Sequence, residues 1–192
     1  VTVWRYRHKW NIEIIKFIIP LAFVGVLIGT FTFSYLTNDH IRMIIGLMAI
    51  IFCLDYYFRK DSDKPKKPSK FASYFWPSLS GFTSFSIHAG GLPLSFYLLP
   101  MRLDRTMYVA TAGLFYLLIN LFKIFPYAYL GEMNFENIYT SLLLLPLAPL
   151  GVYFGAYLVD KIGQDWFYKI GYFCTLLAGC KLFYDGSIKL FL

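Results

Sequence analysis

The chain has 192 residues, of which 58% are hydrophobic, 21% aromatic and only 15% charged, with a formal net charge of +7. An ordinary soluble domain carries about 25% charged residues, and here no Asp, Glu, Lys or Arg occurs at 71–100, 106–122 or 137–159. Thirty uncharged residues as helix extend about 45 Å, past the roughly 30 Å hydrocarbon core of a bilayer, so the pattern excludes a soluble fold and a disordered chain and predicts a polytopic membrane protein.

Hydropathy and breakers mark six segments, approximately Ile14–Leu36, Ile41–Phe58, Phe71–Leu99, Thr106–Leu130, Ile138–Val159 and Trp166–Tyr184. An open-edged sheet cannot cross a membrane, so the expected fold class is all-α, a polytopic integral membrane helical bundle. The opening stretch, VTVWRYRHKWNIEIIKF, has neither Met nor the layout of a signal peptide, and the natural start is expected upstream. Cys53, Cys174 and Cys180 all lie inside apolar segments and read as buried small hydrophobes, not as bridges or metal ligands. No metal or other cofactor is expected.

The segment Pro20-Leu-Ala-Phe-Val-Gly25-Val-Leu-Ile-Gly29 recurs as Pro146-Leu-Ala-Pro-Leu-Gly151-Val-Tyr-Phe-Gly155, both following PLAxxGVxxG at an offset of 126 residues. Glycines four apart let two helix backbones approach, and duplicated halves are a common transporter architecture. The first copy is then expected to begin about 55 residues before Val1, so that the sequence covers about three-quarters of a two-repeat protein. Residues 1–58 form the C-terminal part of the first repeat, 59–70 a connector and 71–192 the second repeat. The connector, RKDSDKPKKPSK, holds six basic and two acidic residues. It lacks the aromatic interleaving of a nucleic-acid surface and fits a cytoplasmic loop obeying the positive-inside rule.

The third segment has polar residues at Ser80, Ser84 and His88, spaced to share one helix face, and breaks at Gly90-Gly91 with Pro93 just beyond. A break at membrane depth is tolerated where the freed backbone lines a cavity or is buried in protein, and transporters use such breaks to aim helix dipoles and N–H groups at an anion. His88 is a proton relay, an anion donor or a neutral residue satisfied by a serine; its spacing fits all three. Hydrolysis by Ser84 and His88 would need an oriented carboxylate, which this segment lacks, so no residue is assigned a catalytic role. In the fourth segment Lys123 is the sole charge between Thr106 and Gly131. A charge at the bilayer centre costs about 2.5–3.5 kcal/mol on insertion scales, although a lysine near a helix end also snorkels. Gly113, Tyr116, Asn120 and Lys123 fall on one helical stripe.

The run GFTSFSIHAGGLPLSFYLLPMRLDRTMYVATAGLFYLLINLFKIFPYAYLG resembles the second repeat of the sulfite exporter TauE/SafE family. In that family a glycine- and serine-rich helix leads to a Gly-Gly-x-Pro stretch, then a short link and a helix ending in an Asn-x-x-Lys-like motif. Here these are Gly81, Ser84, Gly90, Gly91 and Pro93, followed by Asn120 and Lys123. The PLAxxGVxxG copies resemble the third helix of each family repeat. The resemblance implies a multi-pass permease of the bacterial inner membrane for small anions such as sulfite or organosulfonates. The expected substrate-binding residues are Ser84, His88, Gly90, Gly91, Pro93, Tyr116, Asn120 and Lys123. The expected partners are a small anionic substrate and the lipid bilayer, with no nucleic acid; homo-oligomerisation stays open. The competing reading is a non-transporting intramembrane enzyme or an assembly scaffold, and the near absence of acids from the apolar segments disfavours the enzyme.

Two topologies fit Phe71–Leu99. A crossing suits its length, whereas re-entry keeps Arg102 and Arg105 on the connector's side and makes the two repeats inverted. The loop charges favour the second and the segment length the first.

Overall fold

A computed structural model describes residues 2–32, 37–58, 64–130 and 147–191. Among these residues every regular element is a helix and none is a strand, as backbone groups in lipid require. In chain order they are α1 (Thr2–Arg5), α2 (Ile12–Thr32), α3 (Asn38–Phe58), α4 (Lys70–Ser86), α5 (Gly91–Leu98) with a 3-10 turn at Leu99–Met101, α6 (Arg105–Tyr129), α7 (Leu147–Lys161) and α8 (Gln164–Phe191). Of these, α2, α3 and α6 are long and apolar enough to cross a membrane.

The predicted segments match these helices with two corrections, and the end of the first segment, 33–36, lies outside the described residues. The third is two helices, because Ile87 leaves helical geometry after Ser86 and His88 adopts a left-handed φ of 56°. The sixth runs past Tyr184 to Phe191; there Lys181 and Asp185 pair at 3.2 Å one turn apart, matching each other's charge on an exposed face. The described part of the fifth starts at Leu147, and Pro146 with the rest of that segment's beginning lies outside the described residues. Cys53 is buried as expected, but Cys174 and Cys180 are exposed, since α8 packs along one face only.

Glycines set the closest approaches between helices. A Cβ on Gly25 of α2 would overlap the Ser78 carbonyl of α4, and one on Gly81 of α4 would overlap Ala22 of α2, so the two backbones cross in contact. Helices α3 and α8 meet in the same manner through Gly46 and Gly179. Helix α6 closes the group against α2, where Phe23 and Phe122 stack at 4.1 Å. Phe85, Leu94, Leu98, Phe115 and Ile119 are almost fully buried in the core that this arrangement encloses.

The structure resolves the topological alternative in favour of re-entry. Along α4 and α5, Ser80 lies opposite Gly90, where the serine hydroxyl donates to the glycine carbonyl at 2.7 Å. Trp76 lies opposite Phe96, with ring centroids 5.0 Å apart. At the base, the Lys66 N–H of the connector donates to the Pro100 carbonyl at 2.8 Å. The segment is therefore an antiparallel helical hairpin whose two ends return to one side. Arg102 and Arg105 join the connector there: Arg102 reaches Tyr56 near the end of α3 and Asp165 at the start of α8, and Arg105 reaches the Ile162 carbonyl after α7. The same end holds the start of α2, where the Asn11 N–H donates to the Thr111 hydroxyl, and the end of α7, where Asp160 pairs with Arg5 at 2.7 Å. Helices α2 and α7, which carry the two PLAxxGVxxG copies, thus run in opposite directions.

Candidate functional site

The tip of the hairpin is assembled by the C-terminus of α4, the N-terminus of α5 and one face of α6. A helix leaves its last four carbonyls without intrahelical donors. The Thr83 carbonyl accepts from both the Ile87 and Ala89 N–H groups, each at 3.1 Å, as the chain turns back. The next two carbonyls are met by α6. The Lys123 ammonium donates to the Ser84 carbonyl at 3.0 Å, and the Tyr127 hydroxyl donates to the Phe85 carbonyl at 2.8 Å. Tyr127 also stacks on Phe85 with centroids 4.8 Å apart, and the Lys123 nitrogen lies 5.8 Å from the Tyr127 ring centre. The negative end of the α4 dipole and its free carbonyls favour a cation at this point.

Lys123 is 4% exposed, and among the described residues it forms no ion pair. Opposite it, α5 begins with Gly90 as its cap and Gly91 at its first position. A side chain at Gly90 would collide with Ser84 and with the Ser80 carbonyl, so the two helix ends approach closely enough to require glycine. A Cβ at Gly91 would come 3.3 Å from the Tyr116 hydroxyl of α6. Pro93 is buried in the first turn of α5, where a missing N–H breaks no intrahelical bond. The N–H groups that open α5 point toward the tip, as a helix N-terminus directs them.

Of the sequence-predicted residues, Ser84, Gly90, Gly91, Tyr116 and Lys123 come together at the tip, and Pro93 sits one turn below. His88 is exposed at the turn itself, with its ring 6.1 Å from that of Tyr127. The expectation that it shares a helix face with Ser80 and Ser84 is corrected, because α4 ends two residues before it. Asn120 is exposed, at the margin of the α6 face that the hairpin covers. Tyr127 was missed. Its signal was present one turn beyond Lys123, as the next polar group of the same stripe.

Residues 1–182 match the sulfite exporter TauE/SafE family. The chain belongs to that family. Its members are membrane transporters of the permease type and not enzymes, which sets aside the intramembrane-enzyme reading and makes the apolar helices a multi-pass membrane bundle. No curated protein and no solved structure matches the chain.

Proposed function

We propose that the protein is a secondary permease for a small oxyanion of the sulfite or organosulfonate class, acting in the bacterial inner membrane. The anion sits at the hairpin tip, with Lys123 supplying the charge, the first N–H groups of α5 at Gly90 and Gly91 supplying directed donors, and the Tyr116 hydroxyl closing one side. Ser84 and His88 border the site at the turn, Pro93 fixes the first turn of α5, and Asn120 stands at its open margin. Residues 1–58 and 71–192, joined by the connector 59–70, act as related halves of opposite orientation, and their rocking exposes the site to each side in turn.

The observation that carries this reading is the surroundings of Lys123. A cation withdrawn from water is normally matched by a carboxylate; this one is held by a carbonyl oxygen at a helix end. Among the described residues dipoles alone meet the ammonium and no carboxylate pairs with it, so an entering anion meets a positive site without first displacing a bound carboxylate. The second helix end contributes in the same sense, because an N-terminus favours negative charge.

Sulfite and organosulfonate flux into proteoliposomes containing the complete protein tests the reading. The expected result is flux above that of empty vesicles, reduced at least tenfold by Lys123→Ala at equal amounts of folded protein. Absence of flux for both anions, or equal flux through the variant, overturns it.

A further inference from the structure

A second site lies at the opposite end of the hairpin, outside the transport reading. The described part of the connector, 64–69, borders a cavity of about 250 Å³ between α3 and α4. The floor is a chain of rings in mutual contact. Trp76 meets Phe96 at 5.0 Å, Phe96 meets Phe52 at 4.7 Å, Phe52 meets Tyr172 at 5.5 Å, and Tyr172 stacks on Tyr56 at 3.6 Å. Among the described residues three ammonium groups, Lys64, Lys66 and Lys67, and one carboxylate, Asp55, line the rim. The rim is held in place, since the Lys66 N–H is bonded to the Pro100 carbonyl and Pro65 and Pro68 limit the backbone between the lysines.

These features select a ligand class. The rim takes an anion. The floor takes an apolar body, and a small free oxyanion would leave it uncovered. The cavity also sits where the apolar ends of α3, α4 and α5 meet the basic connector, the level at which basic pockets between membrane helices meet lipid headgroups and aromatic rings gather at the interface. We propose that this cavity binds the headgroup of an anionic phospholipid, with the phosphate against Lys66 and Lys67 and the glycerol and first acyl carbons along the Trp76–Phe96 floor. The bound lipid would tie the connector to the base of the re-entrant hairpin.

Native mass spectrometry of the complete protein in detergent, offered equal amounts of phosphatidylglycerol and phosphatidylcholine, tests the proposal. The wild type is expected to retain phosphatidylglycerol preferentially. Each lysine near the headgroup contributes roughly fivefold in affinity, so Lys64→Gln/Lys66→Gln/Lys67→Gln should reduce retention to the level of phosphatidylcholine with an unchanged melting temperature. Trp76→Leu should weaken retention with the lysines intact. Lys161→Gln/Lys169→Gln, which removes two exposed cations at the same end of the bundle, should leave it as it was. Equal retention of the two lipids overturns the proposal, as does a loss of the same size in the Lys161/Lys169 control. Displacement of phosphatidylglycerol by millimolar inorganic phosphate would assign the rim to a free oxyanion and also overturn it.

Discussion

Two cations are withdrawn from solvent at opposite ends of the hairpin, and their surroundings differ in kind. The Arg102 side chain is 7% exposed at the base, where it pairs with Asp165 at 3.2 Å, donates to the Tyr56 hydroxyl at 3.3 Å and lies over the Tyr168 ring at 5.1 Å. Lys123 is 4% exposed near the tip, where it meets the Ser84 carbonyl and the face of the Tyr127 ring. Arg102 has its charge matched by a carboxylate and uses a planar donor fork to join α3, the turn after α5 and α8. Among the described residues Lys123 is met by dipoles and by no carboxylate. The comparison separates a cation paired with a carboxylate across several helices from one that, among the described residues, meets dipoles alone.

That separation breaks down most visibly if Arg102→Ala leaves stability intact. Loss of its hydrogen bonds and ring contact is expected to lower stability by about 2 kcal/mol, read as a fall in melting temperature in detergent, with flux per folded molecule retained. Tyr127→Phe is the next largest effect, about 1 kcal/mol, because the Phe85 carbonyl loses its hydroxyl donor while ring stacking persists. Since Lys123 still meets the Ser84 carbonyl in that variant, flux should survive.

Acid sharpens the same contrast. Asp104 caps α6 on Arg102's side, accepting from the Thr106 hydroxyl at 2.5 Å, the Thr106 N–H at 2.9 Å and the Met107 N–H at 3.3 Å. Chiefly the Thr106 hydroxyl bond, with help from the two amides, holds its carboxyl below the usual carboxylate value. A depressed folded pKa gives stability that is complete above the ordinary carboxylate range and is lost as pH falls through the lowered folded value. Asp104→Ala should cost about 1 kcal/mol near neutrality. Asp104→Asn should retain much of the cap while removing this residue's share of the acid dependence, as measured by melting temperature against pH. The smallest effect belongs to the turn. His88 occupies a left-handed conformation that costs an L residue about 1 kcal/mol or more, so His88→Gly should raise the melting temperature slightly.

Much of this arrangement was legible in residue order. The uncharged runs gave the helices, the Gly90-Gly91 pair gave the break, and Lys123 stood out as the lone charge of its segment. Re-entry was not readable from length, because length counts residues and not direction. The deciding contacts pair Lys66 with Pro100 and Ser80 with Gly90, which no helical periodicity reports. His88 was misplaced because the spacing rule assumes a helix that continues, and this one ends at Ser86. On a regular helix Asn120 is turned about 60° from Lys123, enough to place it at the margin of a face that the narrow hairpin tip covers. The two PLAxxGVxxG copies teach a related lesson. A Cβ at Gly25 would strike α4, whereas one at Gly151 or Gly155 would meet no described atom within 4 Å. Glycine spacing permits close approach, and the partner helix decides whether it occurs.

The most direct test sets Lys123→Ala beside Arg102→Ala in one preparation, measuring sulfite flux per folded molecule and melting temperature for each. The account predicts that Lys123→Ala loses flux while its melting temperature falls by less than that of Arg102→Ala, and that Arg102→Ala transports at the wild-type rate per folded molecule. Retained flux in Lys123→Ala, with transport lost instead in folded Arg102→Ala, would contradict it.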